Sequence, residues 1–105
     1  MVKEYVPVHS LEIFISKLVN IANLNTKIER LAITISSQIQ DSSLSSGKSP
    51  VGIAAAFVYI SSVIVGEKIP QREIAEYADI TEVTIRNRTR EILNKYKIKQ
   101  IIKTK

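Results

Sequence analysis

The sequence predicts an all-α domain, and three observations lead to that fold class. Only three glycines and three prolines occur in 105 residues, so few turns are encoded. Apolar residues recur at i, i+3, i+4 and i+7 in several segments, which is the spacing of one helix face. Residues 49–66 contain no charged side chain, as expected for a helix at the centre of a bundle. We therefore expect five helices in a single domain over residues 1–105.

The first two helices are predicted from their apolar stripes. One face of residues 9–23 would carry Leu11, Phe14, Ile15, Leu18, Val19 and Ala22. The second helix is expected from Thr26 to about residue 40, and Thr26 and Glu29 have the spacing of a capping box. Residues 41–48 are rich in serine, lack periodicity and predict a loop.

The third helix is the uncharged segment. Ser49 is expected as its N-cap and Pro50 as its first residue, and Gly66 would end it. As a helix, residues 49–66 would span about 27 Å, slightly less than a hydrocarbon core of roughly 30 Å. The segment lies in mid-chain, so it is not a signal peptide. We interpret it as the buried central helix and expect no membrane association.

Residues 70–96 have the layout of a helix-turn-helix, in which the second helix is free to enter the major groove of DNA. The fourth helix would run from about Pro70 to Ala78, and the fifth from after Thr81 to about Tyr96. The inward face of the fourth helix is assigned to Ile74, Ala75 and Ala78. Asp79 stands in the turn, where the left-handed conformation is common, and aspartate tolerates it.

The fifth helix divides into two faces at 100° per residue. The buried stripe is predicted to contain Ile85, Thr89, Ile92 and Tyr96, with Leu93 beside it. The opposite face is predicted to contain Val83, Arg86, Asn87, Arg90 and Asn94. Arg88 falls on the flank, so the three arginines at alternate positions are not equivalent.

This division suggests which residues meet DNA. Val83, Arg86 and Asn87 lie near the helix start, where base contacts are made. Arginine can donate two hydrogen bonds to guanine, a small apolar residue can pack on a thymine methyl, and asparagine can read adenine. The predicted phosphate contacts on this helix are Thr81, Thr84, Arg88, Arg90 and Lys95. The alternative is an ordinary solvated helix face.

The charge distribution supports a polyanionic partner. Residues 1–82 contain seven Lys or Arg and nine Asp or Glu, a net charge of −2. Residues 83–105 contain eight Lys or Arg and one acid, a net charge of +7. Either nucleic acid or an acidic membrane surface fits this asymmetry, as would a basic tail that only increases solubility. The basic residues 97–105 could extend the helix, form a short strand or fray.

Other classes of function find little support. The chain has no cysteine and one histidine, so we expect neither a metal site nor a cofactor. His9 has no obvious partner, and Glu73 and Glu76 have the spacing of solvated surface acids. No arrangement of catalytic residues is present, and an enzyme is not expected.

Two stretches carry a resemblance to a known family. GKSPVGIAAAFVYISS, residues 47–62, and QREIAEYADITEVTIRNRTREI, residues 71–92, resemble the second cyclin-like repeat of the general transcription initiation factor IIB family, particularly its archaeal counterpart, transcription factor B. The order and lengths of the five helices agree over nearly the whole chain. The resemblance implies a five-helix cyclin-like fold with a buried central third helix and a C-terminal helix-turn-helix.

The resemblance also implies a function and partners. The family binds double-stranded promoter DNA at an element upstream of the TATA box, beside TATA-binding protein, and recruits RNA polymerase through the full-length factor. The positions of Val83 and Arg86 make the principal base contacts in that family, and the start of the fourth helix, here Gln71 and Arg72, contacts phosphate. We expect a monomeric domain of a longer factor, located in the cytoplasm at the nucleoid of an archaeon, or in the nucleus of a eukaryote.

Several features differ from the family pattern. The zinc ribbon and first repeat are missing from the sequence, so polymerase recruitment by this chain alone is not expected. Pro70 replaces a common capping threonine, and Asp79 replaces a common glycine. Two alternatives remain open: a cyclin-like protein–protein adaptor, or a related repeat that does not read bases.

Overall fold

A computed structural model of the protein describes residues 8–38 and 49–96. These residues form five α-helices and contain no β-strand, as the sequence predicts. The helices are α1 (Val8–Ala22), α2 (Thr26–Gln38), α3 (Pro50–Val65), α4 (Gln71–Ala78) and α5 (Glu82–Tyr96). The boundaries of α1, α3, α4 and α5 and the start of α2 lie within one residue of their predicted positions, and α2 ends at Gln38 rather than at about residue 40. The predicted loop at 41–48 and the tail at 97–105 lie outside the described residues.

The helix α3 is the centre of the domain because it packs against each of the other four helices. Its first half is buried without interruption over seven residues: Gly52, Ile53, Ala54, Ala55, Ala56, Phe57 and Val58. A helix enclosed on all sides has no solvent-facing position where a charge would be tolerated, which explains the uncharged sequence. The three alanines take little space, so neighbouring helices can approach the α3 backbone closely.

Apolar side chains from the other helices complete one core. Ile15 of α1, Ile28 of α2 and Ile74 of α4 are each at most 1% exposed. The spacing that predicted the stripe of α1 is confirmed, with Leu11, Ile15, Leu18 and Val19 buried. None of the helices in the described parts of the chain has the length and apolarity needed to cross a membrane.

Three helices end in the same way although different residues provide the left-handed conformation. Asn23 after α1, Gly66 after α3 and Asp79 after α4 have φ values of 57°, 91° and 60°. After each, two backbone N–H groups bond back to carbonyls of the last helical turn, as in a Schellman motif. The prediction that Asp79 adopts this conformation is confirmed. The short turns between helices depend on these three residues.

The predicted capping box of α2 is wrong. The side chain of Asn25, one residue earlier, accepts a hydrogen bond from the Lys27 N–H at 2.8 Å and caps the helix. Glu29 instead accepts a hydrogen bond from the Ser16 hydroxyl at 2.6 Å, which links α2 to α1. The Glu29 carboxylate therefore bonds to α1 and does not cap the start of α2.

Candidate nucleic-acid interface

The turn between α4 and α5 fixes the start of the candidate recognition helix. The N–H of Asp79 donates to the Glu76 carbonyl at 3.3 Å, and the N–H of Ile80 donates to the Ala75 carbonyl at 3.0 Å. Ile80 is half-buried and packs against the core, whereas Asp79 is exposed. The helix α5 begins at Glu82, three residues after Asp79, which gives the short connection of a helix-turn-helix.

The threonines at this helix start bond to each other. The Thr84 N–H donates to Thr81 Oγ1 at 3.2 Å, so Thr81 acts as the N-cap of α5. The two hydroxyl oxygens lie 2.9 Å apart. Thr81 is exposed and Thr84 is half-buried. Both were predicted to contact phosphate, and of the two the hydroxyl of Thr81 is the more accessible.

The inner face of α5 is held against α3 and α4. Ile85 and Ile92 are 0% exposed and Thr89 is 6% exposed, which confirms the buried stripe at these positions. The side chain of Tyr96, the fourth predicted member, lies outside the described residues. Since the stripe is fixed to the core, the opposite face of α5 is directed outward.

Helices α3 and α5 approach each other closely at Gly52, a residue that sequence reasoning did not connect with the interface. A Cβ atom at this position would lie 3.0 Å from Cγ2 of Thr84 and 3.9 Å from Cγ of Arg88. This separation leaves almost no room for a side chain, so the absence of one at Gly52 permits the close approach of the core helix to the candidate recognition helix. The available signal was a glycine two residues before three consecutive alanines, Ala54 to Ala56.

The outer face of α5 presents most of the predicted base-reading residues to solvent. Val83 is 51% exposed, so its side chain is accessible at the start of α5. Arg86 and Arg90 are exposed and lie one turn apart, whereas Asn87 is half-buried. An apolar group and a guanidinium group are therefore accessible together near the start of α5.

Arg88 differs from the two arginines beside it. Its side chain is only 19% exposed, and its Nη2 lies 3.0 Å from Oε2 of Glu91 in an ion pair. Its Nε is buried without a hydrogen-bond partner among the described residues. Its predicted phosphate contact remains a prediction, and it would require the guanidinium group to leave or share this pair.

The two phosphate candidates on α4 face different surfaces. Gln71 shares a cleft of about 300 Å³ with Arg86 and Arg90 of α5. Arg72 instead lines a separate open groove together with the acids Glu73 and Glu76. The fold thus brings Gln71, but not Arg72, next to the arginines of α5. The side chain of Lys95, the remaining candidate, lies outside the described residues.

The cleft also contains a residue that the sequence analysis did not select. Tyr59 belongs to the central helix α3, yet it is half-buried and lines the cleft beside Gln71. Its position in an apolar run gave no sign that it reaches the same surface as the α5 arginines. In the described part of the chain, no group of three or more His, Cys, Asp or Glu side chains could hold a metal ion.

Comparison with known families agrees with this architecture. Residues 6–95 match the model of the transcription factor TFIIB repeat. The chain belongs to the TFIIB repeat family. The five helices, with the helix-turn-helix at α4 and α5, are accordingly the cyclin-like all-α fold of this repeat. Members of the family are transcription factors rather than enzymes.

Individual relatives of this TFIIB repeat come from archaea. It is 46% identical over 86 residues to transcription initiation factor IIB of Pyrococcus furiosus. These 86 residues are 82% of this chain and 29% of that protein. It is 46% identical over 80 residues to the factor of Methanoculleus marisnigri, covering 76% of this chain and 24% of that protein. With the Archaeoglobus fulgidus factor the identity is 43% over 79 residues, covering 75% and 24%. The chain spans less than a third of the length of these relatives.

Proposed function

We propose that this domain is the DNA-binding second repeat of a general transcription initiation factor of the IIB type. Its helix α5 reads the promoter element upstream of the TATA box in the major groove and so orients assembly of the preinitiation complex. The relatives named above are transcription initiation factors IIB. One observation carries the finer proposal: the outer face of α5 exposes Val83 and Arg86 at its start while Ile85 and Ile92 fix the helix to the core.

The chemistry of this face suits base recognition. The guanidinium group of Arg86 can donate two parallel hydrogen bonds to O6 and N7 of guanine, and Val83 can contact a thymine methyl group. Both side chains are on a helix whose inner stripe is buried, so they are presented on a rigid support. Asn87, which is half-buried, is the third base-reading candidate.

Electrostatic attraction supplies the part of the affinity that does not depend on sequence. The net charge of +7 in residues 83–105 contrasts with −2 in the remainder, so the positive charge is concentrated from α5 onward. Each phosphate neutralised by Lys or Arg releases counterions, and binding weakens as salt increases. The phosphate contacts assigned to Gln71, Arg72, Thr81, Thr84, Arg88, Arg90 and Lys95 belong to this part of the proposal.

The proposed partners are those of a IIB-type factor. The domain would bind promoter DNA beside TATA-binding protein, and RNA polymerase would be recruited by the full-length factor. It would act as a monomer at chromosomal DNA, which in an archaeon is the nucleoid. No cofactor is part of this proposal.

A titration of duplex DNA tests base reading directly. The domain is titrated with one duplex that carries the upstream element and one in which it is scrambled, each at two salt concentrations. We expect tighter binding of the first duplex at both salt concentrations and a steep loss of affinity for both duplexes at higher salt. Arg86→Ala is expected to cost about 1–3 kcal/mol on the specific duplex and to relax discrimination at one base pair.

Arg30→Ala provides the matched control. Arg30 is an exposed arginine on α2, which packs on α1 and α3, so its removal changes the net charge equally without touching the outer face of α5. We expect it to weaken both duplexes slightly and equally. If Arg86→Ala weakened both duplexes slightly and equally, as expected for Arg30→Ala, the assigned role of Arg86 would be wrong. The same conclusion would follow if Arg86→Ala left unchanged the promoter footprint that forms together with TATA-binding protein.

An adaptor function is the second candidate, and one feature favours it. Exposed Ile21 and Tyr77 line a mainly apolar groove of about 220 Å³ between α1, α3 and α4. The same titration separates the candidates, because an adaptor would bind neither duplex. A related repeat that does not read bases would bind both duplexes equally.

A further inference from the structure

Helix α1 carries apolar side chains on a face that the core does not cover. Ile13 and Ile21 are 60% and 56% exposed, and both lie outside the buried stripe of α1. Ile21 lines the groove of about 220 Å³ between α1, α3 and α4. Tyr77 of α4, which is 40% exposed, lines the same groove. An exposed apolar groove bounded by polar residues is typical of a surface that binds another protein.

The groove has the dimensions of one helix face. Its lining on α1 runs from Phe14 through Leu18 to Ile21, the i, i+4, i+7 spacing, over about 10 Å of helix axis. Val51 and Ala54, nearly one turn apart on α3, line it as well. Two turns of an amphipathic helix present apolar side chains at the same spacing, so a helix of this kind fits the groove.

The α4 side of the groove is acidic. Tyr77 borders both the apolar groove and an adjoining open groove that Glu73 and Glu76 line together with Arg72. Both glutamates are exposed. Residues 73–82 contain four acids and neither lysine nor arginine. Because like charges repel, this side disfavours nucleic acid and anionic membranes, and it attracts a helix with basic side chains on the facing flank.

We propose that this groove binds a basic amphipathic helix of a partner protein. The apolar face of that helix lies between α1 and α4, and its basic flank pairs with Glu73 and Glu76. Lys17 is exposed on α1 and lines the groove there, so it favours a neutral or acidic flank on that side and thereby sets the orientation of the partner.

This second binding surface goes beyond the proposed reading of DNA. The described residues that line the groove include none of those that line the cleft with Arg86 and Arg90 of α5. The domain can therefore hold DNA with α5 and a protein with α1 and α4 at the same time.

A synthetic helical peptide is the probe for this groove. It is roughly 15 residues long, with leucines at i, i+4 and i+7, lysines along one flank and glutamines along the other. A second peptide has glutamates in place of the lysines, and a third has the composition of the first in scrambled order. Fluorescence anisotropy of the labelled peptides measures their binding to the 105-residue chain. We expect saturable micromolar binding of the first peptide, and binding of the other two that is at least about tenfold weaker.

Two pairs of variants locate the peptide on the domain. Ile21→Ala should weaken binding of the first peptide about fivefold to thirtyfold, whereas Val83→Ala, at a similarly exposed position on α5, should leave it unchanged. Glu76→Lys should weaken it about threefold to tenfold at low salt. Glu67→Lys makes the same charge change in the turn between α3 and α4 and should alter it less than about twofold.

Two further measurements separate a contact from a folding defect. Ile21 and Glu76 are exposed, so the thermal unfolding midpoints of Ile21→Ala and Glu76→Lys should stay close to that of the wild type. Ile21→Ala should also bind the specific DNA duplex as tightly as the wild-type chain does.

The other outcomes decide between occupants. If all three peptides bound alike, or if neither Ile21→Ala nor Glu76→Lys weakened the first peptide, the proposal would be overturned. It would also be overturned if removal of the basic residues 97–105 raised peptide affinity about tenfold, because the chain's own tail would then occupy the groove. A dimer that Ile21→Lys dissociates in sedimentation would instead make the groove a contact between two copies. If the chain bound the first peptide as expected but no duplex, the proposed function would fail and the groove proposal would stand.

Discussion

Helices α3 and α5 have almost the same length, yet they use their side chains in opposite ways. Of the 16 residues of α3, ten are buried, and none is charged. In the 15-residue α5 the buried residues with described side chains are Ile85, Thr89 and Ile92, and its outer face carries Arg86 and Arg90. One helix is surrounded by the domain and the other lies on it, so α3 determines the stability of the fold and α5 its proposed recognition of DNA.

The two helices are nevertheless coupled, because they touch at Gly52. The distance of 3.0 Å from a hypothetical Cβ there to Cγ2 of Thr84 places a close contact at the first turn of α5. The proposed reading residues Val83 and Arg86 flank this contact along the helix. The comparison therefore predicts three kinds of substitution: one that affects stability alone, one that couples stability to binding, and one that affects binding alone.

The largest effect is expected for truncation inside α3. Phe57 is 0% exposed, and Phe57→Ala should lower the free energy of unfolding by about 3–5 kcal/mol because of the lost burial and the remaining cavity. Urea denaturation followed by circular dichroism measures this change. Such a loss is a large part of the stability of a domain of this size.

Val83→Ala is the matched truncation on α5. Val83 is 51% exposed, so its unfolding free energy should change by no more than about 0.5 kcal/mol. Affinity for the specific duplex should nevertheless fall. If Val83→Ala destabilised the fold as strongly as Phe57→Ala, the outer face of α5 would have a structural role, and the contrast between the helices would be lost.

An intermediate effect is expected where the helices meet. Gly52→Val introduces atoms into a space that Thr84 already occupies, so we expect a loss of about 1–3 kcal/mol in the free energy of unfolding. The substitution should also displace the start of α5 and weaken binding of the specific duplex more than that of the scrambled duplex. Ala54→Val, in the same buried run two residues later, is the control for overpacking elsewhere on α3. Equal changes in discrimination for both variants would argue against a special role of the Gly52 contact.

Most of the fold was predictable because its signals are local. Periodic apolar positions located the helices, Pro50 and Gly66 delimited α3, and Asp79 was correctly expected in the left-handed conformation. The cap of α2 was not predictable, since Glu29 could bond either within its own helix or to Ser16 across the α1–α2 contact. Local spacing shows that a carboxylate is available, but only the tertiary packing decides which donor it accepts from.

The candidate site was predictable in part for the same reason. Helical periodicity separated the exposed Arg86 and Arg90 from the flanking Arg88. It did not show that Arg88 pairs with Glu91, because an i, i+3 spacing permits an ion pair without requiring it. Tyr59 and Gln71 are separated in sequence from α5, and only the packing of three helices brings them to one cleft. Residues that join a site through tertiary contacts leave no local pattern.

The smallest expected effect concerns the pair between Arg88 and Glu91, which lies between the inner and outer faces of α5. Glu91 is the only acid among residues 83–105, and its Oε2 holds the Arg88 guanidinium at 3.0 Å. Glu91→Gln removes this charge while keeping the size of the side chain. We expect DNA affinity to rise about twofold to fivefold at low salt, because Arg88 becomes available to phosphate and a repulsive carboxylate is lost. The gain should disappear at high salt.

The stability of Glu91→Gln should remain close to that of the wild type. The side chains of Arg88 and Glu91 are 19% and 38% exposed, so both reach solvent, and pairs that solvent screens contribute about 1 kcal/mol or less. Glu12→Gln on α1 changes the net charge by the same amount and is the control for long-range attraction. A double variant that combines Glu91→Gln with Arg88→Ala isolates the local cause, because the gain should be lost when Arg88 is absent. If Glu91→Gln and Glu12→Gln raised the affinity equally, net charge alone would explain the result, and Arg88 would belong with the buried face of α5 rather than with its DNA contacts.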